Sequence, residues 1–124
     1  MTNVEVSLKT LMTEVEGALG AAVVDYSSGM ALGSLGGGKD LDLNVAAAGN
    51  TDVIRAKVRT MDELGIQSRI EDLLITLDTQ YHLIRPVMGR GGNGLFIYLV
   101  LDKGRANLAM ARHQLKRTEG NLEV

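Results

Sequence analysis

The sequence predicts an α+β domain, a mostly antiparallel sheet with helices on its faces. Apolar residues alternate between helical and strand spacing in the order α-β-β-α-β-β-β-α. Three of the links between strands are short and rich in Gly, Ser or Asp, which is hairpin chemistry and makes the sheet antiparallel. Helices must then cover the sheet faces.

The first helix is expected over Val4–Gly17, where Leu8, Leu11, Met12 and Val15 repeat at i, i+3, i+4 and i+7, before Gly17 and Gly20 break it. Leu19–Tyr26 is a nearly continuous apolar run, as in a central strand buried on both faces. Ser27, Ser28 and Gly29 supply a turn, Met30–Leu35 returns as a shorter strand, and Gly36, Gly37 and Gly38 form a loop. Asp42–Leu64 is the longest helical repeat, capped at its start by Asp40 or Asp42 and ended by Gly65. Strands follow over Ser68–Leu77, Tyr81–Met88 and Leu95–Leu101. Pro86 cannot donate to a ladder, so it belongs near a strand end beyond its neighbour's paired region, or at a bulge. A last helix is expected over Gly104–Lys116, with Asp102 as its cap and Leu108, Ala111 and Leu115 on one side. The chain reads as one domain over 1–124, with its core over 4–117 and a flexible tail over 118–124.

The long helix carries more apolar surface than one sheet face can cover. At 100° per residue, Leu43, Ala47, Ile54, Val58 and Met61 form one arc. Val45, Ala46, Gly49, Val53, Ala56 and Leu64 form a second. Together they span about 200°, where a surface helix needs an apolar stripe of about 100°. The strand expected at Ser68–Leu77 is very apolar for a sheet edge, and such edges invite pairing with another chain. A second copy is the simplest cover for both, as most soluble oligomers are two-fold dimers. The expected dimer interface is Val45, Gly49, Val53, Ala56, Ile70, Leu73 and Ile75. Asp52, Arg55 and Arg59, in the polar sector of the same helix, are the candidate residues for docking a different partner.

Two glycine patterns imitate nucleotide sites. Gly33, Gly38 and Lys39 are spaced as in a phosphate-binding loop, but Asp40 stands where a magnesium-holding Ser or Thr is required. Gly89, Gly91 and Gly94 match a dinucleotide fingerprint, yet the segment that follows is a strand, with no helix N-terminus to receive a pyrophosphate. Both read as loops. His82 and His113 are the only histidines, there is no cysteine and no nucleophile elbow is visible, so the sequence argues for no catalytic triad, and without cysteine no thiolate metal site is possible. Glu71–Asp72 and Asp62–Glu63 are sequence neighbours that point different ways. No catalytic residue, cofactor or metal is expected, and the protein reads as a non-enzyme.

Composition narrows the function further. A net charge of −2 argues against nucleic acid, despite a basic lean at Lys103, Arg105, Arg112, Lys116 and Arg117 that reads as a solvated helix face. One Phe, three Tyr and no Trp leave little for stacking platforms or aromatic pockets. No basic-then-apolar leader and no membrane-length apolar run are visible, so a cytoplasmic protein is expected.

The order of elements, Gly20–Asp25 followed by Ser28, Gly29 and Met30, the run Tyr81–Pro86 and the run Gly94–Leu101 together resemble the Roadblock/dynein light chain superfamily. Ala106–Arg112 looks like bacterial, actinomycete-type members. The resemblance spans about Val4–Arg117. It implies a profilin-like fold, a five-stranded antiparallel sheet in the order 2-1-5-4-3 between one long helix and the two terminal helices. It also implies a homodimer joined through the long helix and third strand, and a role as a non-catalytic adaptor of a Ras-like small GTPase. That role is scaffolding or GTPase-activating, with a sensor-kinase-like protein as a further partner. No loop arginine reads as an arginine finger. The alternative is a small-molecule sensor, since related profilin-like and PAS-type sheets bind ligands.

Overall fold

The computed structural model describes residues 3–87 and 94–123. Its elements are α1 (Val4–Glu14), β1 (Ala18–Asp25), β2 (Met30–Gly36), α2 (Leu43–Leu64), β3 (Leu73–Thr76), β4 (Gln80–Val87), β5 (Leu95–Asp102) and α3 (Leu108–Asn121). The strands form one antiparallel sheet in the order β2-β1-β5-β4-β3, as expected. The strand at its centre is β5, buried at every residue from Leu95 to Leu101, which is why its sequence shows no polar alternation.

Alternation of side chains divides the core into two layers. Ala21, Val23, Leu83 and Leu99 face α1 and α3, against Leu8, Leu11 and Leu115. Ala22, Val24, Ile84, Phe96 and Val100 face α2, against Leu43, Ala47 and Ile54. The turn between β1 and β2 is fastened by Asp25, whose carboxylate accepts from Ser28 Oγ at 2.7 Å and Ser27 Oγ at 3.0 Å. The Ser28 bond, followed by that from Ser27, holds this carboxyl below its ordinary pKa.

Side-chain caps fix the helix starts. Asn3 Oδ1 accepts from Val6 N at 2.9 Å, and Asp42 Oδ1 accepts from Asn44 N and Val45 N at 3.0 and 3.2 Å. Gly65, at φ 73°, ends α2 in the left-handed conformation that favours glycine. The last helix differs from expectation at both ends. Asp102 closes a turn instead of capping it, its Oδ1 accepting from Gly104 N at 3.0 Å. Asn107 is the N-cap, accepting from Met110 N at 3.1 Å. At the far end α3 runs to Asn121, and Thr118 and Leu122 are buried, so the segment expected as a flexible tail from 118 is part of the packed layer as far as Leu122.

The strand expected over Ser68–Leu77 pairs only at Leu73–Thr76. Continued at the observed register, which sets Leu73 opposite Ile84, it would place Glu71 opposite Pro86. Pro86 has no N–H to offer a ladder. It pairs with Phe96 on the β5 side but lies beyond the paired region of β3, one of the placements expected for it.

At Gly33, in the first nucleotide-like pattern, and at nearby Gly36, the glycines answer to close backbone approach. A Cβ at Gly33 would lie 2.9 Å from Val4 Cγ1, and one at Gly36, where φ is 74°, 2.6 Å from the Leu19 carbonyl oxygen. These glycines let α1 and β1 close against β2. Of the second pattern, Gly89 and Gly91 lie outside the described residues, as does Met88, and Gly94 leads directly into β5.

Candidate protein-docking surface

Helix α2 lies across β1 and β2. Its buried residues are Leu43, Ala47, Thr51 and Ile54, and beyond Ile54 none is fully buried. Thr51 can face inward because its Oγ1 donates to the Ala47 carbonyl at 2.8 Å, satisfying the hydroxyl locally. Val58 and Met61, of the first arc, are exposed and half-buried, respectively.

Most of the second arc stands exposed, although Ala46 is half-buried against the core. Val45 is 69% exposed, Leu64 67% and Val53 38%, and Gly49 and Ala56 are exposed between them. Val45, Gly49, Val53 and Ala56 fall within about 80° of helix circumference. On the edge strand, Leu73 and Ile75 point to the same side of the sheet as α2, since their register partners are Ile84 and His82. Ile75 is 38% exposed, and Leu73 and Ile70 are half-buried. Helix arc and strand edge together form an apolar surface that this protomer leaves open.

The expected docking set divides. Asp52 and Arg59 are exposed and have no ion-pair partner among the described residues. Arg55 is engaged: its Nη2 donates to the Tyr26 and Ser27 carbonyls at 3.0 and 3.1 Å, and its guanidinium lies 5.4 Å from the Tyr26 ring centroid. It ties the β1–β2 turn to α2.

A polar chain that sequence spacing did not reveal lies between the sheet and α2. His82 Nε2 is 2.8 Å from Gln80 Oε1, and His82 Nδ1 is 2.8 Å from the Tyr98 hydroxyl. The amide oxygen of Gln80 can only accept, so His82 carries its proton on Nε2 and accepts the Tyr98 O–H at Nδ1. Burial lowers the His82 pKa and raises that of Tyr98, which Asn50 partly offsets. Asn50 Nδ2 is itself buried without a bond of good geometry. The register sets His82 opposite Val100 and Ile84 opposite Tyr98, so this contact is diagonal, and only the β4–β5 alignment could have exposed it. His113 is exposed on α3.

Between the C-terminal half of α2 and the ends of β4 and β5 lies a cavity of about 360 Å³, lined chiefly by Ile54, Val58, Met61, Ile70, Val87 and Phe96. The irregular segment beside it carries Arg69, expected within a strand but standing exposed on this linker. No cluster of three or more potential metal ligands is found among the described residues. No helix among them is long and apolar enough to cross a membrane.

Together these features define a Roadblock/LC7-type fold with an open apolar flank. The fold is shared along nearly the whole chain with a Roadblock/LC7 domain from Streptomyces avermitilis, at TM-score 0.79 and 12% identity, covering 95% of this chain and 92% of that one. MglB of Myxococcus xanthus is similar at TM-score 0.79 and 15% identity, with 94% and 88% covered. The gliding protein mglB of Thermus thermophilus is similar at TM-score 0.77 and 19% identity, with 94% and 82% covered. No protein-family model and no curated protein sequence matches the chain. At these identities the likeness is one of fold.

Proposed function

We propose that this protein is a cytoplasmic, homodimeric, non-catalytic adaptor that regulates a Ras-like small GTPase. The observation that carries the reading is the open apolar flank of α2 beside the edge of β3, in a fold shared with MglB. Two copies related by a two-fold axis would cover Val45, Gly49, Val53, Ala56, Ile70, Leu73 and Ile75 of both chains. The edges of β3 would meet, and the α2 helices would pack above the seam. The GTPase comes from the sequence resemblance together with the shared fold, and Asp52 and Arg59, with Arg55 bracing the turn beside them, are its proposed contacts. A sensor-kinase-like protein is a second proposed partner. Because Arg55 is occupied within the protomer, the reading favours scaffolding over an arginine supplied in trans.

The test is a pull-down of a cognate small GTPase loaded with GDP or with a GTP analogue, alongside light scattering of the protein alone. Capture in either state, lost in the Asp52→Lys/Arg59→Glu variant, supports the adaptor. Absence of binding in both states, or a strict monomer at micromolar concentration, refutes it. The alternative, a small-ligand sensor, draws on the apolar cavity beneath α2. A metabolite retained through purification and seen by native mass spectrometry would raise it above the adaptor.

A further inference from the structure

We propose that His82 makes the self-pairing described above sensitive to acid, a device that rests on the homodimer reading. Two copies close over a neutral imidazole and separate when that ring takes up a proton.

Helical geometry sets where the open flank of α2 points. Arg55 reaches the Tyr26 and Ser27 carbonyls, so its side of the helix faces the β1–β2 turn. Asn50 lies about 140° round the helix from Arg55 and sits against the Tyr98 hydroxyl of β5. Ala46 and Val53 follow about 40° and 60° further on, so this flank looks out over β4 and β3, the strands beyond β5. His82 lies on the floor of that trough. Its ring meets the Tyr98 ring edge-on, with centroids 5.6 Å apart, and its register partner on β3 is Ile75. His82 is half-buried in the lone protomer, and a second copy that covers Val53 and Ile75 closes over it.

Among the described residues no carboxylate pairs with His82, and its two bonded neighbours, Gln80 and Tyr98, are neutral. β3 carries no charge over Leu73–Thr76, and Asp78 in the following turn is exposed. Tyr81 and Arg85 of β4 alternate to the opposite face, where Lys103 lies over the Tyr81 ring. Asp102, at the end of β5, turns to Gly104 N. On α2, Asp42 is held by Asn44 N and Val45 N, and Lys57 is exposed about two turns beyond Asn50. The flank that a second copy brings is apolar as well, so it removes water and adds no carboxylate. Burial already lowers the His82 pKa in the protomer, and deeper burial in the dimer lowers it further. The dimer therefore holds its full affinity above the ordinary imidazole value of about 6.5 and loses it as pH falls.

The test is sedimentation velocity of the full chain over a concentration series at about pH 7.5 and about pH 5.5, with circular dichroism at both. The wild type should keep its spectrum while its dimer dissociation constant rises about tenfold or more in acid. His82→Gln keeps a neutral side chain able to accept from Tyr98 and should dimerise with the same constant at both pH values. His113→Gln, at an exposed position on α3, should behave as wild type, and these are the only two histidines. A monomer at both pH values would refute the homodimer reading itself. A wild-type dimer whose constant ignores pH, a pH response that survives His82→Gln, or unfolding in acid in place of dissociation would overturn the role of His82 alone. Should His82→Gln misfold, nuclear magnetic resonance on the wild type gives a second reading. The His82 imidazole should titrate at lower pH in concentrated, dimeric samples than in dilute, monomeric ones, and an unmoved midpoint would equally overturn its role.

Discussion

Gly49 separates what a lone protomer needs from what a pair needs. It lies inside α2, its φ is not positive, and a Cβ added there meets no heavy atom within 4 Å. Leucine in a helix is favoured over glycine by about 0.6 to 1 kcal/mol, so Gly49→Leu should stabilise the protomer and raise its melting temperature by about 3 to 5 °C. In a two-fold dimer sealed over this arc the same side chain must fit twice into a close-packed seam. Overpacking costs about 1 to 3 kcal/mol per site, so about 2 to 6 kcal/mol for the pair, a dissociation constant raised roughly thirtyfold to twenty-thousandfold. Sedimentation velocity across a concentration series reads the second effect, and thermal melts at dilutions where both proteins are monomeric read the first. An unchanged dimer affinity would put the seam elsewhere. A lowered melting temperature in the monomer would mean that this flank is already covered within one chain.

Three further outcomes are expected. The His82 pKa is lowered by burial, so below the unfolded value of about 6.5 the unfolded chain binds the proton more readily. Stability from His82 is then fully present above that pH and lost as pH falls towards the folded value. His82 bonds to Gln80 and Tyr98, neither charged at those pH values, and a His82→Gln variant whose urea midpoint keeps the same slope between pH 7 and 5 would refute the assignment. Arg55→Ala should cost about 1 to 2 kcal/mol in chemical denaturation by freeing the Tyr26 and Ser27 carbonyls, whereas Arg59→Ala should cost almost nothing. Glu119→Gln leaves the Arg85 guanidinium, with its side chain 10% exposed, facing a neutral partner. It should cost about 1 to 3 kcal/mol and speed hydrogen exchange first in the last turns of α3.

Much of the fold is legible because its determinants are local. Continuous apolar runs mark β1 and β5, Ser28 and Gly29 mark a turn, and Asp42 and Gly65 bracket α2. The misplaced boundaries share a cause. Asp102 and Asn107 are both competent caps, and the choice between them depends on Asp102 being consumed by the turn at Gly104. Thr118 and Leu122 extend α3 because the α1–α3 layer has room for them, a tertiary fact invisible to periodicity. The candidate surface is legible for the same reason as the fold, since an arc too wide for one sheet face can be counted around a helix. What Arg55 does cannot be counted that way, because its partners are carbonyls 28 and 29 residues away in sequence.

Pro86 shows how a legible residue can have an illegible consequence. Its missing N–H forecasts an unpaired position, and β3 does stop short of it. The shortening does more than spare one hydrogen bond. It turns 66–72 into an irregular linker, moves Arg69 from a strand to an exposed site, and leaves the end of β4 bare beside an apolar cavity. The same shortening leaves Leu73 and Ile75 as the side chains with which a four-residue edge can meet a second copy, so affinity there must come mainly from α2. One proline thus confines the free edge on this side of the molecule to a short apolar strand suited to self-pairing, and sets Arg69 on an exposed linker beside it.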